Sequence, residues 1–294
     1  MKNQKKKCLI VYFSQWNTTA SIAEQIALGL QMKNYNIQQH NLKDTELPPD
    51  ASEFDLIGIG TPVYYYRTPF NVGRYLNNLP DLSGKPVFVF LLHGSYPEDT
   101  FSSIWKILKS KNADFAGYYH APGKDIYYEY LKEGYLFSPD QPLESHREKA
   151  KLFGKQTADR VCKKFYETPP VQKKATFMHR LERFLASEFF TKHLLSRLFS
   201  VNFNKCDSCG KCVQICPTNN ITLTANKGKS PAFGRNCLLC LSCELKCHTE
   251  AITSPASWFV FRPLILHNLH EASKDSEIKL DRVRLEKGRI KYKN

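Results

Sequence analysis

The 294-residue chain has no run of about eighteen consecutive apolar residues, so no membrane-spanning helix is expected. A secretory leader is not expected either. Lys5, Lys6 and Lys7 precede an apolar stretch, but Cys8 to Phe13 is too short for the core of a signal peptide and runs directly into polar residues. No G-x-G-x-x-G follows the first apolar segment, which removes a nicotinamide site of the Rossmann kind. Neither a nucleophile motif nor a metal-hydrolase motif is present. Acidic residues are in short supply, 28 against 42 Lys and Arg, for a net charge of +14. Residues 1–165 carry +4 and residues 166–294 carry +10, so the excess lies in the second half, where it would steer acidic partners or meet anionic surfaces. The basic residues are scattered without a nucleic-acid motif, so no specific nucleic-acid partner is expected. Length favours two domains, and 42% hydrophobic with 24% charged residues is an ordinary globular balance.

What the chain does have is cysteine in a pattern. Eight of its ten cysteines form two runs, Cys206, Cys209, Cys212, Cys216 and Cys237, Cys240, Cys243, Cys247. Both read C-x2-C-x2-C-x3-C, and each cysteine of the second run follows its counterpart in the first at one constant offset, as Cys237 follows Cys206. Three cysteines two residues apart can wrap one face of a cubane, and a fourth three residues later has left that loop and points to a second one. Cluster I is therefore expected on Cys206, Cys209, Cys212 and Cys247, and cluster II on Cys237, Cys240, Cys243 and Cys216. Zinc is the alternative, but its sites usually show two separated C-x2-C pairs around one ion. A disulfide framework would need an oxidising compartment. Reduced cysteines and iron–sulfur ligands instead suit the cytoplasm. The stretch resembles the two-cluster bacterial ferredoxins. Pro217 follows the first run, but His248 stands where a second proline is usual, either tuning a cluster through a hydrogen bond or substituting on the surface.

Before position 166 the chain alternates apolar strand-like runs (Cys8–Phe13, 36–41, 55–60, 87–93, 115–120) with helical patterns (near 22–30, then 71–79, 99–111 and 143–166). This predicts an α/β flavodoxin-like doubly wound parallel five-stranded sheet, with ligands at the carboxyl ends of the strands. After the first strand, Ser14, Gln15, Trp16, Asn17, Thr18 and Thr19 lead into a helix. A helix N-terminus offers unpaired N–H groups and a positive dipole end to a phosphate, and Ser14, Thr18 and Thr19 add hydroxyls. A plain helix cap is the alternative. Asn17 tolerates left-handed backbone, and Trp16 either lies over a flavin or fills its place.

This loop is similar to the flavodoxin phosphate loop, with Trp16 at the family's first threonine and Asn17 at its glycine. The loops at 60–69 and 92–96 are similar to that family's second and third flavin loops. The whole resembles the flavodoxin–ferredoxin fusions (the EFR1-type ferredoxins). The resemblance implies FMN held by Ser14–Thr19, by Pro62, Val63, Tyr64 and Tyr65, and by Gly94, Ser95 and Tyr96. A Tyr-rich surface loop that binds nothing is the alternative for Tyr64–Tyr66. His93 is either a proton donor to reduced flavin or an ordinary strand-end residue. Cys8 and Cys162 are given no redox role.

The expected organisation is a flavodoxin-like FMN-binding domain at 1–167, a linker with an amphipathic helix at 168–200, a small α+β two-cluster 4Fe-4S ferredoxin domain at 201–255 and an extension at 256–294. In the linker, Phe177, Leu181, Phe184, Leu185, Phe189, Leu194, Leu195, Leu198 and Phe199 recur at helical spacing among Arg and Lys. This helix either packs as a spacer between the domains, the favoured reading, or lies on a membrane surface as a peripheral contact. The tail is expected to end in a hairpin around Lys287-Gly288. Electron transfer between a redox partner protein of acidic surface, two 4Fe-4S clusters and FMN is the leading reading. A flavin-dependent reductase of a small organic substrate, with an enlarged Tyr64–Arg67 loop, and a regulatory protein with structural clusters are the alternatives.

Overall fold

The computed structural model describes residues 5–43, 47–224 and 230–293. In chain order the first elements are β1 Lys6–Tyr12, α1 Thr18–Gln31, β2 Tyr35–Asn41, β3 Leu56–Pro62, α2 Phe70–Asn78, β4 Pro86–His93, α3 Thr100–Ser110, β5 Asp114–Pro122, α4 Tyr128–Lys132, β6 Tyr135–Phe137 and α5 Glu144–Cys162. There follow α6 Phe177–Leu185, α7 Glu188–His193, β7 Ser200–Val201, α8 Lys211–Ile215, β8 Ile221–Thr224, β9 Ser230–Phe233, α9 Ser242–Leu245, β10 Ile252–Thr253, α10 Arg262–Lys274, β11 Leu280–Glu286 and β12 Arg289–Tyr292. The chain divides into two compact units. One takes the residues up to Gly123 together with Asp140–Ala175; the other takes Lys124–Pro139 and the residues from Thr176 onward.

The first unit is a five-stranded sheet in the order β2-β1-β3-β4-β5, all parallel, the flavodoxin-like doubly wound arrangement. Parallel strands covered on both faces must be apolar at every position. Hence Cys8 to Val11 and all of β4 are buried. On one face Ile22, Ile26 and Leu30 of α1 and Ala150, Phe153 and Ala158 of α5 close over Cys8, Ile10, Phe88 and Phe90. The two helices approach so closely that a Cβ on Gly29 would overlap the Lys151 carbonyl, and one on Gly154 the Ile26 carbonyl. Cys8 is wholly buried, its thiol pKa raised by desolvation first and Asp55 second, which suits inert packing. Cys162 ends α5 in an exposed position.

In the second unit, β7 pairs with β10 and β8 with β9, both antiparallel, around the two cysteine runs. The tail folds as the expected hairpin: β11 and β12 are joined by Lys287 (φ 46°) and Gly288 (φ 76°). Sequence reading gave no sign of its neighbour. Residues 124–139, expected inside the first stretch, supply β6, which pairs antiparallel with β11 to make a three-stranded sheet, β12-β11-β6. Tyr130 and Phe137 from that excursion pack with Ile265, Leu269 and Ala272 of α10. The single amphipathic helix expected across 177–199 is corrected to three pieces, α6, α7 and a 3-10 turn at Leu195–Arg197. Ser187 takes an extended backbone (φ −66°, ψ 160°) as the cap residue of α7, which stops α6 at Leu185. Along these pieces Phe177, Phe184, Phe189 and Leu194 are exposed, while His179, Thr191 and Ser196 are buried. No helix among the described residues is long and apolar enough to cross a membrane.

Candidate functional site

The two cysteine runs take the same backbone path. Left-handed residues occur at Ser208 and Leu239, at Gly210 and Leu241, and at Asn219 and Glu250, each pair set apart by the offset that separates the cysteines. Such a φ is cheap for glycine and costs a residue with a Cβ about 1–2 kcal/mol. Leu239 and Leu241 offset that cost by being buried. After each turn comes a short helix, α8 or α9, carrying the third cysteine, and the fourth follows it.

Cys206, Cys209 and Cys212 line one cleft together with Cys247 from the other run, and Thr249, Ala251 and Ile252 complete its wall. Burial raises the Cys212 thiol to about 11, with Cys206 and Cys209 adding to the shift. In the second group, burial raises Cys237 to about 12, and Cys240 and Cys216 act on it in the same direction. Cys243 is raised by burial, then by Cys240, Cys237 and Cys216. The fourth cysteine of each run thus stands with the first three of the other. Thiols so placed stay protonated unless a cation draws them into the thiolate form, which suits a four-sulfur cage. Sulfur also receives backbone donors at equivalent places: Asn220 N–H donates to Cys216 Sγ at 3.2 Å and Ala251 N–H to Cys247 Sγ at 3.3 Å. Thr218 and Thr249 set hydroxyls 3.8 Å and 3.5 Å from those same sulfurs. Sequence reading missed these four residues. The offset that aligned the cysteines also aligns the threonines.

His248 Nε2 lies 2.9 Å from Asp207 Oδ2, so the exposed ring ties the second run to the first. Behind the second run, Glu244 and Glu129 are both buried. Ser257 Oγ is 2.7 Å from Glu129 Oε1 and 3.0 Å from Glu244 Oε1, and Ser254 N–H donates to Glu244 Oε2 at 3.1 Å. Burial pushes the Glu244 carboxyl up to about 7, and the neighbouring Glu129 acts in the same direction. Through Glu129 the excursion at 124–139 holds the loop that carries Cys243 and Cys247.

In the first unit the three candidate flavin loops stand at the carboxyl ends of β1, β3 and β4. Asn17 adopts the left-handed conformation (φ 61°, ψ 0°) as the residue before α1, so the turn is made without glycine. Its side chain does not cap the helix; Ser14 Oγ accepts from Ala20 N–H at 3.1 Å instead. The Ser14 hydroxyl, three residues before the cap position, thus serves a donor of the first turn of α1. Ser14, Gln15 and Thr19 are buried, Trp16 and Thr18 are half-buried and Asn17 is exposed. First-turn N–H groups such as those of Thr18 and Thr19 have no partner within a helix. With the hydroxyls of Ser14 and Thr19 beside them, they fit an anionic group such as the FMN phosphate.

Tyr64 joins the first loop to the second: its hydroxyl donates to Gln15 Oε1 at 3.1 Å, and its ring packs edge-on to Phe13. Pro62, Val63, Tyr64 and Tyr65 are half-buried. Tyr64 and Arg67 exchange backbone hydrogen bonds across a tight turn, with Tyr65 (φ 49°) and Tyr66 (φ 57°) left-handed at its tip. Tyr66 is buried and the Arg67 guanidinium lies 3.8 Å over the Phe70 ring. The loop whose enlargement would favour the reductase alternative is a closed turn. Gly94, Ser95 and Tyr96 are half-buried after β4. His93 Nδ1 is 2.9 Å from the Ser95 carbonyl, and its Nε2 is 3.3 Å from His120 Nδ1. A carbonyl only accepts, so His93 Nδ1 carries the proton and Nε2 receives one from His120. Burial first, then His120, pushes the His93 pKa down to about 4. The imidazole is a neutral peg that fixes the third loop.

Two family profiles match the chain: one described as a flavodoxin domain over residues 9–119, the other as a 4Fe-4S binding domain over residues 199–222. No curated protein matches it significantly. Similar solved structures include a flavodoxin from the domain Archaea, 18% identical over 53% of this chain and 99% of that one, with a TM-score of 0.42. Flavodoxin 2 of Bacillus cereus is 22% identical over 52% and 99%, with a TM-score of 0.39. The rubredoxin oxygen:oxidoreductase of Desulfovibrio gigas is 15% identical over 55% of this chain and only 38% of its own, with a TM-score of 0.43. The chain therefore joins a flavodoxin domain, whose cofactor is FMN, to a 4Fe-4S binding domain, and is an electron-transfer protein of the flavin and iron–sulfur kind.

Proposed function

We propose that this chain is an electron carrier of the flavodoxin–ferredoxin fusion type, with two 4Fe-4S clusters and one FMN, working in a reducing compartment such as the cytoplasm. Cluster I takes Cys206, Cys209, Cys212 and Cys247; cluster II takes Cys237, Cys240, Cys243 and Cys216. The observation that carries the reading is the convergence of each fourth cysteine on the opposite run.

When bound, the clusters supply single-electron transfer and the flavin one- or two-electron storage. The chain's own residues do the rest. The N–H groups of Asn220 and Ala251 stabilise negative charge on Cys216 and Cys247 sulfur. Leu239 and Leu241 keep water from the second quartet. Ser14, Thr18 and Thr19 with the start of α1 hold the phosphate, and the loops at Pro62–Tyr65 and Gly94–Tyr96 flank the ring system. His93 fixes the Ser95 carbonyl. The closed turn at Tyr64–Arg67 gives no support to a separate substrate pocket. The +10 charge of residues 166–294 favours a redox partner protein of acidic surface.

The test is an anaerobic absorption spectrum with iron, zinc and FMN counted per chain. About eight irons and one FMN are expected from two cubanes and one flavin. A colourless or zinc-loaded protein would end the proposal, and about eight irons without FMN would remove its flavin half.

A further inference from the structure

Helix α6 is turned the wrong way for a helix of a soluble domain. Its inward side is polar: His179 is 4% exposed, and Glu182 Oε2 accepts from Asn268 Nδ2 of α10 at 2.8 Å. Its outward side is aromatic: Phe177 is 76% exposed and Phe184 59%, two turns apart on one face. Beyond the break at Ser187, Phe189 is 67% exposed and Leu194 also faces solvent. These rings form one surface. Phe184 meets Phe190 edge-on at 5.1 Å between centroids, Phe190 meets Phe189 at 5.7 Å, and Phe189 lies 4.8 Å from His193. A contiguous apolar patch on a domain surface marks a binding site.

Charge selects the occupant. Arg180, Lys192 and Arg197 are exposed around the rings, and none pairs with a carboxylate among the described residues. Of the two acids in residues 176–199, Glu182 is turned inward, leaving Glu188 as the exposed one. The rings project outward, so a rigid partner would need a matching pocket for each, whereas a bilayer admits them without one. Aromatic side chains ringed by Lys and Arg are the composition of helices that lie in the headgroup layer. The same unit exposes a second run, Trp258, Phe259 and Val260, at the start of α10, the helix joined to α6 through Asn268.

We propose that the α6–α7 face docks this protein reversibly on an anionic lipid bilayer, with Phe177, Phe184 and Phe189 inserted and Arg180, Lys192 and Arg197 on the headgroups. The proposal is independent of the cofactor reading. Full-length, cofactor-loaded protein is sedimented with phosphatidylcholine vesicles, with and without one third phosphatidylglycerol. Binding is expected on the anionic vesicles and to weaken with added salt. The pair Phe184→Ser and Phe189→Ser should lower the partition coefficient roughly tenfold per ring. The pair Arg180→Glu and Lys192→Glu should lower it roughly fivefold per basic residue on anionic vesicles alone. Iron content and visible spectrum serve as the folding control, and Phe177→Ser replaces either pair that loses iron. Absence of wild-type binding to anionic vesicles, binding that the ring variants leave intact, or a wild-type dimer that the ring variants convert to monomer would each overturn the proposal.

Discussion

His93 should make the sheet unit lose stability in mild acid, and the size of the loss follows from its surroundings. The ring is buried, donates from Nδ1 to the Ser95 carbonyl and accepts at Nε2 from His120. Protonating it would place a charge in a dry site beside His120, with His146 opposing it at longer range. The folded state therefore favours the neutral form, with a pKa of about 4 against an ordinary 6.5. Between those values the unfolded chain binds more protons, so the contribution is complete above about pH 6.5 and is lost as pH falls to about 4. The full span corresponds to about 3 kcal/mol, and the part between about pH 7.5 and pH 5 to about 2 kcal/mol. His120, itself shifted down by burial, adds in the same direction. Hydrogen exchange read by mass spectrometry on peptides covering β4 and β5 would measure it, in wild type and in His93→Gln. Glutamine can still donate to Ser95 but does not titrate. The wild-type opening free energy should fall by about 2 kcal/mol across that interval, and the variant's by less than half as much. Parallel pH profiles for the two proteins would refute the reasoning, as would a wild type more stable at the acid end.

Replacing Cys216 with Ser should disturb the cluster held mainly by the second run, leaving about four irons with the first, and Cys247→Ser should do the converse; iron counts with electron paramagnetic resonance distinguish them. Thr19→Ala should weaken flavin retention through gel filtration without changing iron content, and Thr19→Ser should restore it. Gly154→Ala drives a methyl group against the Ile26 carbonyl and should destabilise the first unit by roughly 1–3 kcal/mol, measurable as a lower midpoint in urea with an unchanged slope.

The parallel sheet was legible because burial on both faces leaves little room for polar residues, so Cys8–Val11 and Val87–Leu92 stand out as unbroken apolar runs. The approach of each fourth cysteine to the opposite run was legible because the spacing within each run, and its repetition at a constant offset, are written in the local sequence. Other features depend on what lies far off in the chain. β6 is a short strand at Tyr135–Phe137, and its partner β11 begins only at Leu280, so no periodicity reports the pairing. The helical spacing of Phe177, Phe184 and Phe189 was visible, but its direction was not. A burial pattern assumes that apolar residues point inward, and here Asn268 and Glu182 claim the inner side. The His93–His120 contact is likewise set by strand order, which places β4 beside β5.

The excursion after β5 has a consequence for how this molecule can be taken apart. The backbone passes from one unit to the other three times, near 123, 139 and 175, instead of once. A single protease cut in the stretch before α6 would leave the amino-terminal fragment holding α4 and β6 without the hairpin that completes their sheet, and the carboxyl-terminal fragment holding β11 with a bare edge. Neither half is a transplantable cassette, and a gene that exchanged one at Thr168-Pro169-Pro170 would have to exchange residues 124–139 as well.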